Sequence, residues 1–210
     1  LETEIITFLK IGDKEKVKLS VKKLINSLLN KEKDLPRQIK DISLLLIYSV
    51  LKNVIEWNLV IDIKRNVIED KINRAKTCEE LEIFLTSFLF QIVDKIKEKK
   101  KNQNSRYVKK ACHFIKKNYY QNINLQDIAS SVYITPQYLS RMFKEETGET
   151  VINYLTDIRM KKALKLLEKT DLKIYEVADK VGYNDARYFS RVFKKYTDLT
   201  PNDYRNEKIK

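Results

Sequence analysis

A segment of eleven residues occurs twice in this sequence, 50 positions apart. SRMFKEETGET at Ser140–Thr150 returns as SRVFKKYTDLT at Ser190–Thr200. Upstream, DIASSV at Asp127–Val132 is matched, one residue out of step, by EVADKV at Glu176–Val181. A self-match at a fixed period is typical of one supersecondary unit used twice. The pattern therefore predicts two copies of a short helix, a tight turn and a second helix.

Turn-forming residues are scarce, and this limits the fold class. The 210 residues include only three glycines and three prolines, and apolar residues recur at spacings of three and four more often than two. Such spacing belongs to amphipathic helices rather than to strands. With 43% hydrophobic and 34% charged residues, the chain is expected to be globular. We predict an all-α protein.

The amino-terminal half, residues 1–104, is predicted to be a helical regulatory or interaction region. Asp13 is expected to cap one helix, Pro36 to lie in the first turn of a second, and a third is expected over Ile63–Ala75. Thr77 and Glu80 have the spacing of a capping box. It precedes a helix whose apolar face is formed by Leu81, Phe84, Leu85, Phe88, Leu89, Ile92 and Ile96.

The charged run Lys95–Lys101 and the NQNS sequence that follows it are interpreted as a linker, with a domain boundary after Asn104. The alternative is one continuous helix through Lys117, because the run contains no glycine or proline. Residues 105–210 are then the second domain. Its repeats are expected at about 107–148 and 172–207, joined by a long helix over about 151–168.

Local signals place the helix ends in this second domain. Asn124 is expected to cap a short helix, and Pro136 is well placed at the start of the next. Gly148 is a typical helix stop, and Thr150 can cap the long joining helix. That helix would measure about 27 Å at 1.5 Å per residue. This length suits a spacer between two helices that read successive major grooves about 34 Å apart.

The helix that starts near Pro136 is expected to present a polar stripe to solvent. Leu139, Met142 and Phe143 have the spacing of a core-facing side. The stripe left outside consists of Gln137, Ser140, Arg141 and Lys144. Gln and Arg can pair with adenine and guanine edges through two hydrogen bonds, and Lys can neutralise a phosphate. The stripe therefore suits the major groove of DNA.

The second copy repeats this arrangement. Phe189, Val192 and Phe193 are expected to face inward, with Arg187, Ser190, Arg191, Lys194 and Lys195 outside. We predict that the base-reading residues are Gln137, Arg141, Arg187, Ser190 and Arg191. The residues predicted to contact the DNA backbone are Thr135, Tyr138, Ser140, Lys144, Asn184, Lys194 and Lys195. The alternative is a pair of ordinary helical hairpins with solvated basic faces.

The charge of the chain agrees with a nucleic-acid partner. Its 42 basic and 29 acidic residues give a formal net charge of +13. The excess is larger in residues 105–210, with 21 basic and 13 acidic residues, than in residues 1–104, with 21 and 16. Such an excess is the electrostatic footprint of a protein that binds nucleic acid. Double-stranded DNA is therefore the predicted partner.

The motifs of this half resemble those of the AraC/XylS family of bacterial transcription regulators. The likeness covers about Tyr107–Arg205 and is carried by INLQDIA at Ile123–Ala129, YLSRMFKEETG at Tyr138–Gly148, RMKKALKLL at Arg159–Leu167 and VGYNDARYFSRVFKKYTDLTPNDYR at Val181–Arg205. It implies two helix-turn-helix repeats joined by a long helix. It also implies a transcription regulator, an activator rather than a repressor, with RNA polymerase as a further partner. Arg159 and Arg205 would then have structural roles.

The chain departs from the family pattern at three positions. Asp198 stands where the family usually has glycine, Tyr183 where it often has phenylalanine, and Ser140 where it often has a longer polar residue. The amino-terminal half is loosely similar to the helical region before the DNA-binding domain in YesN-like response regulators. Because the chain begins at Leu1 rather than at methionine, we expect it to be part of a longer polypeptide.

Nothing in the sequence indicates catalysis, a metal or a cofactor. His113 is the only histidine, and a helix would point it away from its neighbour Cys112 by about 100°. No glycine-rich phosphate loop is present. Two cysteines, no signal peptide and no apolar run long enough for a membrane span favour the cytoplasm.

The apolar stripe that contains Phe84, Phe88, Leu89 and Ile92 has two interpretations. It packs against neighbouring helices of the same chain, or it contacts another protein, either a second copy in a homodimer through the amino-terminal helices or a sensor. The second interpretation leads to another function for the whole chain. It would be a helical interaction or dimerisation scaffold with only non-specific affinity for DNA.

Overall fold

The computed structural model describes residues 1–29, 37–61 and 64–208, and all regular secondary structure in these ranges is helical. The predicted all-α class is confirmed. Pro36 and Ile63, at predicted helix starts, lie outside the described residues. The helices are α1 (Glu2–Ile11), α2 (Lys14–Leu28), α3 (Arg37–Glu56), α4 (Arg65–Arg74), α5 (Cys78–Asn118), α6 (Leu125–Ser131), α7 (Pro136–Thr147), α8 (Val151–Lys169), α9 (Ile174–Lys180), α10 (Ala186–Thr197) and α11 (Pro201–Lys208).

The chain forms two compact units, the amino-terminal unit Leu1–Asn102 and the carboxy-terminal unit Gln103–Lys210. The core of the amino-terminal unit is built by α1 to α4 and the first part of α5. Residues such as Ile5, Ile47 and Leu85 are completely buried in it. Helix α1 was not predicted from the sequence; two exposed glutamates occupy its first turn.

The predicted break in the charged run after Lys95 is wrong. Helix α5 continues without interruption through Asn118, so the alternative of one long helix is confirmed. Lys, Glu, Gln and Asn remove no backbone hydrogen bond, and the run has neither glycine nor proline to end a helix. Lys95 and Glu98 form an ion pair of 3.0 Å one turn apart, which supports the helix locally.

The predicted caps of this unit are present. The side chain of Asp13 accepts a hydrogen bond from the backbone N–H of Lys16 at 3.0 Å. Thr77 accepts from the N–H of Glu80 at 3.1 Å, while the Glu80 carboxylate accepts from the N–H of Lys76 rather than from that of Thr77. Both caps satisfy donors that a helix start leaves without partners.

The apolar stripe of α5 is part of the core. Leu89 and Ile92 are completely buried and Phe88 is 2% exposed, while Phe84 is half-buried against the same cluster. The first interpretation of this stripe, packing within the chain, is confirmed. It is therefore not the surface through which a second copy could bind.

The carboxy-terminal unit holds two apolar clusters, one for each sequence repeat. The first surrounds Met142 and Phe143, and the second surrounds Phe189 and Phe193. Helix α8 belongs to both, because Val151 and Leu155 lie in the first cluster and Met160, Ala163 and Leu167 lie in the second. It therefore joins the repeats as a shared structural element. None of the helices in the described ranges combines the length and the hydrophobicity that a membrane-spanning segment needs.

Candidate nucleic-acid interface

Helix α7 presents the first predicted stripe. Thr135 caps the helix, its hydroxyl accepting from the N–H of Tyr138 at 3.3 Å, and Pro136 occupies the first turn. The inward side is fixed by three completely buried residues, Leu139, Met142 and Phe143. As predicted, the residues on the opposite side are exposed, and these are Gln137, Ser140, Arg141 and Lys144.

Helix α10 presents the second stripe in the same way. The Asp185 carboxylate caps it by accepting from the N–H groups of Arg187 at 2.7 Å and Tyr188 at 3.1 Å. Phe189 and Phe193 are completely buried, while Val192 is only half-buried. The exposed residues are Arg187, Arg191, Lys194 and Lys195, together with Asn184 before the helix.

The two helices stop at the same point of the repeat. The backbone N–H of Gly148 donates to the carbonyl of Lys144 at 3.0 Å, and the N–H of Asp198 donates to that of Lys194 at 2.8 Å. Both residues adopt left-handed backbone angles, with φ of 80° and 64°. Asp198 therefore takes the conformation of the glycine that it replaces.

Each stripe carries an arginine stacked on a tyrosine, a feature that the sequence analysis missed. The guanidinium carbon of Arg141 lies 5.5 Å from the ring centre of Tyr138, and that of Arg191 lies 5.7 Å from Tyr188. Residues three apart on a helix are neighbours, and a cation over an aromatic face is attracted to it. The signal was a Tyr-x-x-Arg motif at both Tyr138 and Tyr188.

Other contacts within the chain involve the predicted site residues. The Tyr138 hydroxyl donates to Oδ1 of Asn104 at 2.7 Å, so this tyrosine is tied to α5. The Ser190 hydroxyl donates to the carbonyl of Ala186 at 2.8 Å and is half-buried. Arg141 also lies 4.0 Å from the Glu145 carboxylate, but both side chains are more than 60% exposed. Such a pair contributes little and leaves the arginine available to a ligand.

The capping carboxylate of Asp185 is held in its charged form. Hydrogen bonds from the backbone N–H groups of Tyr188 and Arg187 lower the pKa of this carboxyl. Loss of hydration acts against them, while the positive charges of Arg191 and Arg187 act with them. A negative charge at the start of α10 also matches the helix dipole. The Asp185 carboxylate thus fixes the first turn of α10, which contains Arg187.

A buried arginine holds the backbone that connects α5 to α6. Arg159 of α8 is 8% exposed, and it donates from Nε to the carbonyl of Tyr119 at 2.8 Å and from Nη2 to that of Gln121 at 2.7 Å. Its guanidinium carbon lies 5.0 Å from the ring centre of Tyr183. Burial lowers the pKa of this guanidinium, against the effect of Tyr183.

The last helix, α11, is also held by side-chain hydrogen bonds to the rest of its unit. Arg205 donates from Nη2 to the carbonyl of Leu172 at 2.7 Å, and the Tyr204 hydroxyl donates to Glu168 at 2.5 Å. The positions of Arg159 and Arg205 agree with the structural roles that the family resemblance implies. In residues 1–29, 37–61 and 64–208, no cluster of three or more His, Cys, Asp or Glu side chains could hold a metal ion.

A family model described as a helix-turn-helix domain matches residues 128–207. Among curated proteins, the chain is 28% identical over 215 residues to the uncharacterized HTH-type transcriptional regulator YtdP of Bacillus subtilis, covering 99% of this chain and 27% of YtdP. It is 39% identical over 89 residues to the uncharacterized transcriptional regulatory protein YesN of the same organism, covering 41% of this chain and 24% of YesN. The chain thus spans about a quarter of the length of these relatives.

Among solved structures, the carboxy-terminal domain of AraT, a response regulator from Geobacillus stearothermophilus, is 43% identical. The match covers 48% of this chain and 84% of that domain, with a TM-score of 0.47. The YtdP alignment extends through the amino-terminal unit, whereas the YesN alignment covers less than half of the chain. The likeness of the amino-terminal unit to the middle region of YesN-like proteins therefore stays a prediction.

Proposed function

The carboxy-terminal half of this chain belongs to the AraC-type helix-turn-helix family, and from this premise we propose that the chain is the sequence-specific DNA-binding part of a bacterial transcription regulator. Helices α7 and α10 are the two recognition helices in this proposal. Each enters a major groove of one duplex, and the two grooves are successive. In this proposal the whole protein acts in the cytoplasm, where the chromosome lies. It is an activator, and it contacts RNA polymerase.

The observation that carries the proposal is the equivalence of two exposed cationic stripes. Both helices are capped by a side-chain oxygen, anchored by a buried phenylalanine at the same position of the repeat (Phe143 and Phe193) and ended by a left-handed residue. Both present an arginine stacked on a tyrosine one turn earlier. A stacked guanidinium keeps its hydrogen-bonding edge in a defined direction, which favours paired contacts with guanine.

In the proposal, the stripe residues divide into two roles. Arg141, Arg187 and Arg191 are placed to reach base edges, with Gln137 reading an adenine. Ser190 is assigned a weaker base contact, because its hydroxyl already donates to Ala186. The residues assigned to phosphates and sugars are Thr135, Tyr138, Ser140, Lys144, Asn184, Lys194 and Lys195.

A selection from random duplexes followed by fluorescence anisotropy tests the proposal. We expect a consensus with two half-motifs about one helical turn apart. Inserting about five base pairs between the half-motifs turns the second one to the opposite side of the duplex, so the affinity should fall to that of a single half-motif. The control duplex carries the same five base pairs outside the site. Equal affinity for both duplexes would show that only one helix binds at a time.

Two further outcomes bear on the finer proposals. If no duplex is preferred over a scrambled one at moderate ionic strength, the chain binds DNA without specificity and the scaffold function gains support. A reporter gene placed behind the selected site separates activation from repression. Higher expression with the protein than without it supports the activator role, and lower expression contradicts it.

A further inference from the structure

The amino-terminal unit exposes large apolar side chains on the side of α3 that faces away from its core. Leu45 is 66% exposed, Ile55 68% and Tyr48 36%. The core-facing side of the same helix is buried, and it consists of Ile39, Ser43, Leu46, Ile47, Val50 and Val54. An exposed apolar helix face of this kind commonly marks a protein interaction site.

The exposed side has the spacing of a helix-pairing seam. Asp41, Leu45, Tyr48, Lys52 and Ile55 follow one another at intervals of four, three, four and three residues, and all are exposed. We call these five residues the α3 seam. Intervals of four and three keep one edge of a helix against a partner helix, as in coiled coils. The Tyr48 hydroxyl donates to the Glu69 carboxylate of α4, which holds the ring at the edge of the seam.

The two charges of the seam are too far apart to pair with each other. Asp41 and Lys52 are eleven residues apart, which on a helix is about 16 Å. This distance is too long for an ion pair. In the described part of the chain, no ion pair involves either of them. The same holds for Arg37 and Glu56, the exposed first and last residues of α3.

These charges become complementary when the helix meets a copy of itself. We propose that the α3 seam binds the α3 seam of a second copy of this chain, with the two helices antiparallel. The symmetry axis passes between Leu45 and Tyr48, so that Leu45 packs on Tyr48 of the partner subunit. Asp41 then lies opposite Lys52 of the partner subunit, and Arg37 lies opposite Glu56 of the partner subunit. Each pair occurs twice, as in a two-fold symmetric interface.

The order of the charges along α3 favours a second copy of the chain as the partner, with the two helices antiparallel. Parallel helices would place Asp41 beside Asp41 of the partner subunit and Lys52 beside Lys52 of the partner subunit, and like charges in an interface are strongly unfavourable. Opposite charges at equal distances from one centre are what a self-complementary two-fold interface requires. The inference does not depend on DNA binding, although a dimer would carry four recognition helices instead of two.

Reversal of the two seam charges tests the proposal on the chain of 210 residues. We expect the unchanged protein to have twice the mass of the chain in sedimentation and light scattering at concentrations of about 10 µM or more. Asp41→Lys places two lysines opposite each other, and Lys52→Asp places two aspartates opposite each other. Either variant alone should raise the dimer dissociation constant about tenfold or more.

Mixing the two variants gives the sharpest result. In a mixed dimer, Lys at position 41 of one variant meets Asp at position 52 of the other, and the second pair is the original one, Lys52 with Asp41. Dimers should therefore form again when the two monomeric variants are combined. The control is Lys23→Asp on α2, an exposed position outside the seam, which should leave the dimer unchanged. Leu45→Glu removes the central apolar contact and should also give monomers.

Three outcomes would overturn the proposal. The unchanged chain is a monomer at about 100 µM, or the single variants dimerise like the unchanged chain, or the mixture stays monomeric. Because all of the substituted side chains are exposed, helix content measured by circular dichroism should be the same in every variant. Binding of the selected DNA site by the monomeric variants is measured separately, so failure of the dimer and failure of DNA binding are distinguished.

Discussion

Gly182 lies directly against the guanidinium of Arg159, and no side chain fits between them. A Cβ atom at position 182 would be 2.8 Å from Nη2 of Arg159 and 2.5 Å from the carbonyl oxygen of Tyr119. The same guanidinium donates to that carbonyl at 2.8 Å. The turn before α10 is therefore packed onto the residues that follow α5 through one buried arginine. This contact links the turn of the second repeat to the backbone that leads into the first.

We predict that Gly182→Ala destabilises the protein much more than Gly148→Ala. Both glycines have left-handed angles, with φ of 88° and 80°, and alanine there costs about 1 kcal/mol. A Cβ at Gly148 meets nothing within 4 Å. At Gly182 it clashes with the backbone and with Arg159, which adds about 1–3 kcal/mol, the usual cost of overpacking.

Denaturant unfolding of the two variants measures this difference. Gly148→Ala is the matched control, because it has the same backbone penalty without the clash. Equal losses of unfolding free energy in the two variants would contradict the close approach of Gly182 to Arg159 and Tyr119.

Exchange of residues between the two helix stops should change stability in opposite directions. Asp198 has φ of 64°, which is unfavourable for a residue with a Cβ, and its negative charge lies at the negative end of the α10 dipole. Asp198→Gly should therefore raise the unfolding free energy by about 0.5–1 kcal/mol, and Gly148→Asp should lower it by about 1 kcal/mol. Melting temperatures measure both changes. A loss of stability in Asp198→Gly would show that the aspartate side chain makes a stabilising contact.

Much of the carboxy-terminal unit could be predicted from the sequence because its signals are local. The Asn124 side chain accepts from the N–H of Asp127, and Asp127 accepts in return from the N–H of Asn124. Thr150 caps α8 and Gly148 ends α7, as expected from these residue types. The repeat also fixed the inward sides of α7 and α10, because a copy with the same spacing constrains the helix phase twice.

The features that were missed depend on contacts distant in sequence or on weak local signals. The acceptors of Arg159 are 40 and 38 residues away, and no periodicity connects them. Helix α5 continues past Lys95 because the charged run contains no helix breaker. The composition of the run alone suggested a linker. The exposure of the α3 seam depends on which side of α3 its neighbours cover. Apolar residues recur on both sides of this helix, so its sequence pattern does not decide which side is exposed.

On the selected DNA site, Arg141→Ala and Arg191→Ala should each lower the binding free energy by about 1–3 kcal/mol. On scrambled DNA the same changes should have little effect, because a base contact contributes only at its own sequence. Anisotropy titrations with both duplexes measure the difference. Equal losses on the two duplexes would make these arginines contacts to the backbone.

A lysine of the same stripe should behave differently. Lys144→Ala is expected to weaken binding equally on both duplexes and to lower the salt slope by about one, because one phosphate contact is lost. Lys165→Ala is the control, since this exposed lysine lies on α8 rather than on α7 or α10. A change in sequence preference in Lys144→Ala would contradict its assignment to a phosphate.

A tyrosine–aspartate pair joins α10 to α8 and should make stability depend on pH. The Tyr196 hydroxyl donates to Oδ1 of Asp157 at 2.7 Å, and Lys161 lies 2.8 Å from the same carboxylate. Burial and then the bond to Asp157 raise the pKa of Tyr196 to about 12. For Asp157, burial acts to raise the pKa, but the hydrogen bonds from Lys161 and Tyr196 and the charge of Lys161 outweigh it, and the pKa is lowered.

Tyr196→Phe should therefore cost most stability between about pH 4 and pH 10. The raised pKa of Tyr196 gives stability that is complete below its ordinary value of 10.0 and is lost as the pH rises towards 12. The lowered pKa of Asp157 gives stability that is present above 3.8 and is lost as the pH falls through the folded value. Denaturant unfolding of the unchanged chain and the variant across this range measures the difference. Tyr133→Phe, at a side chain that is 95% exposed, should show no such dependence, and a difference for Tyr196→Phe that is constant with pH would contradict the pairing.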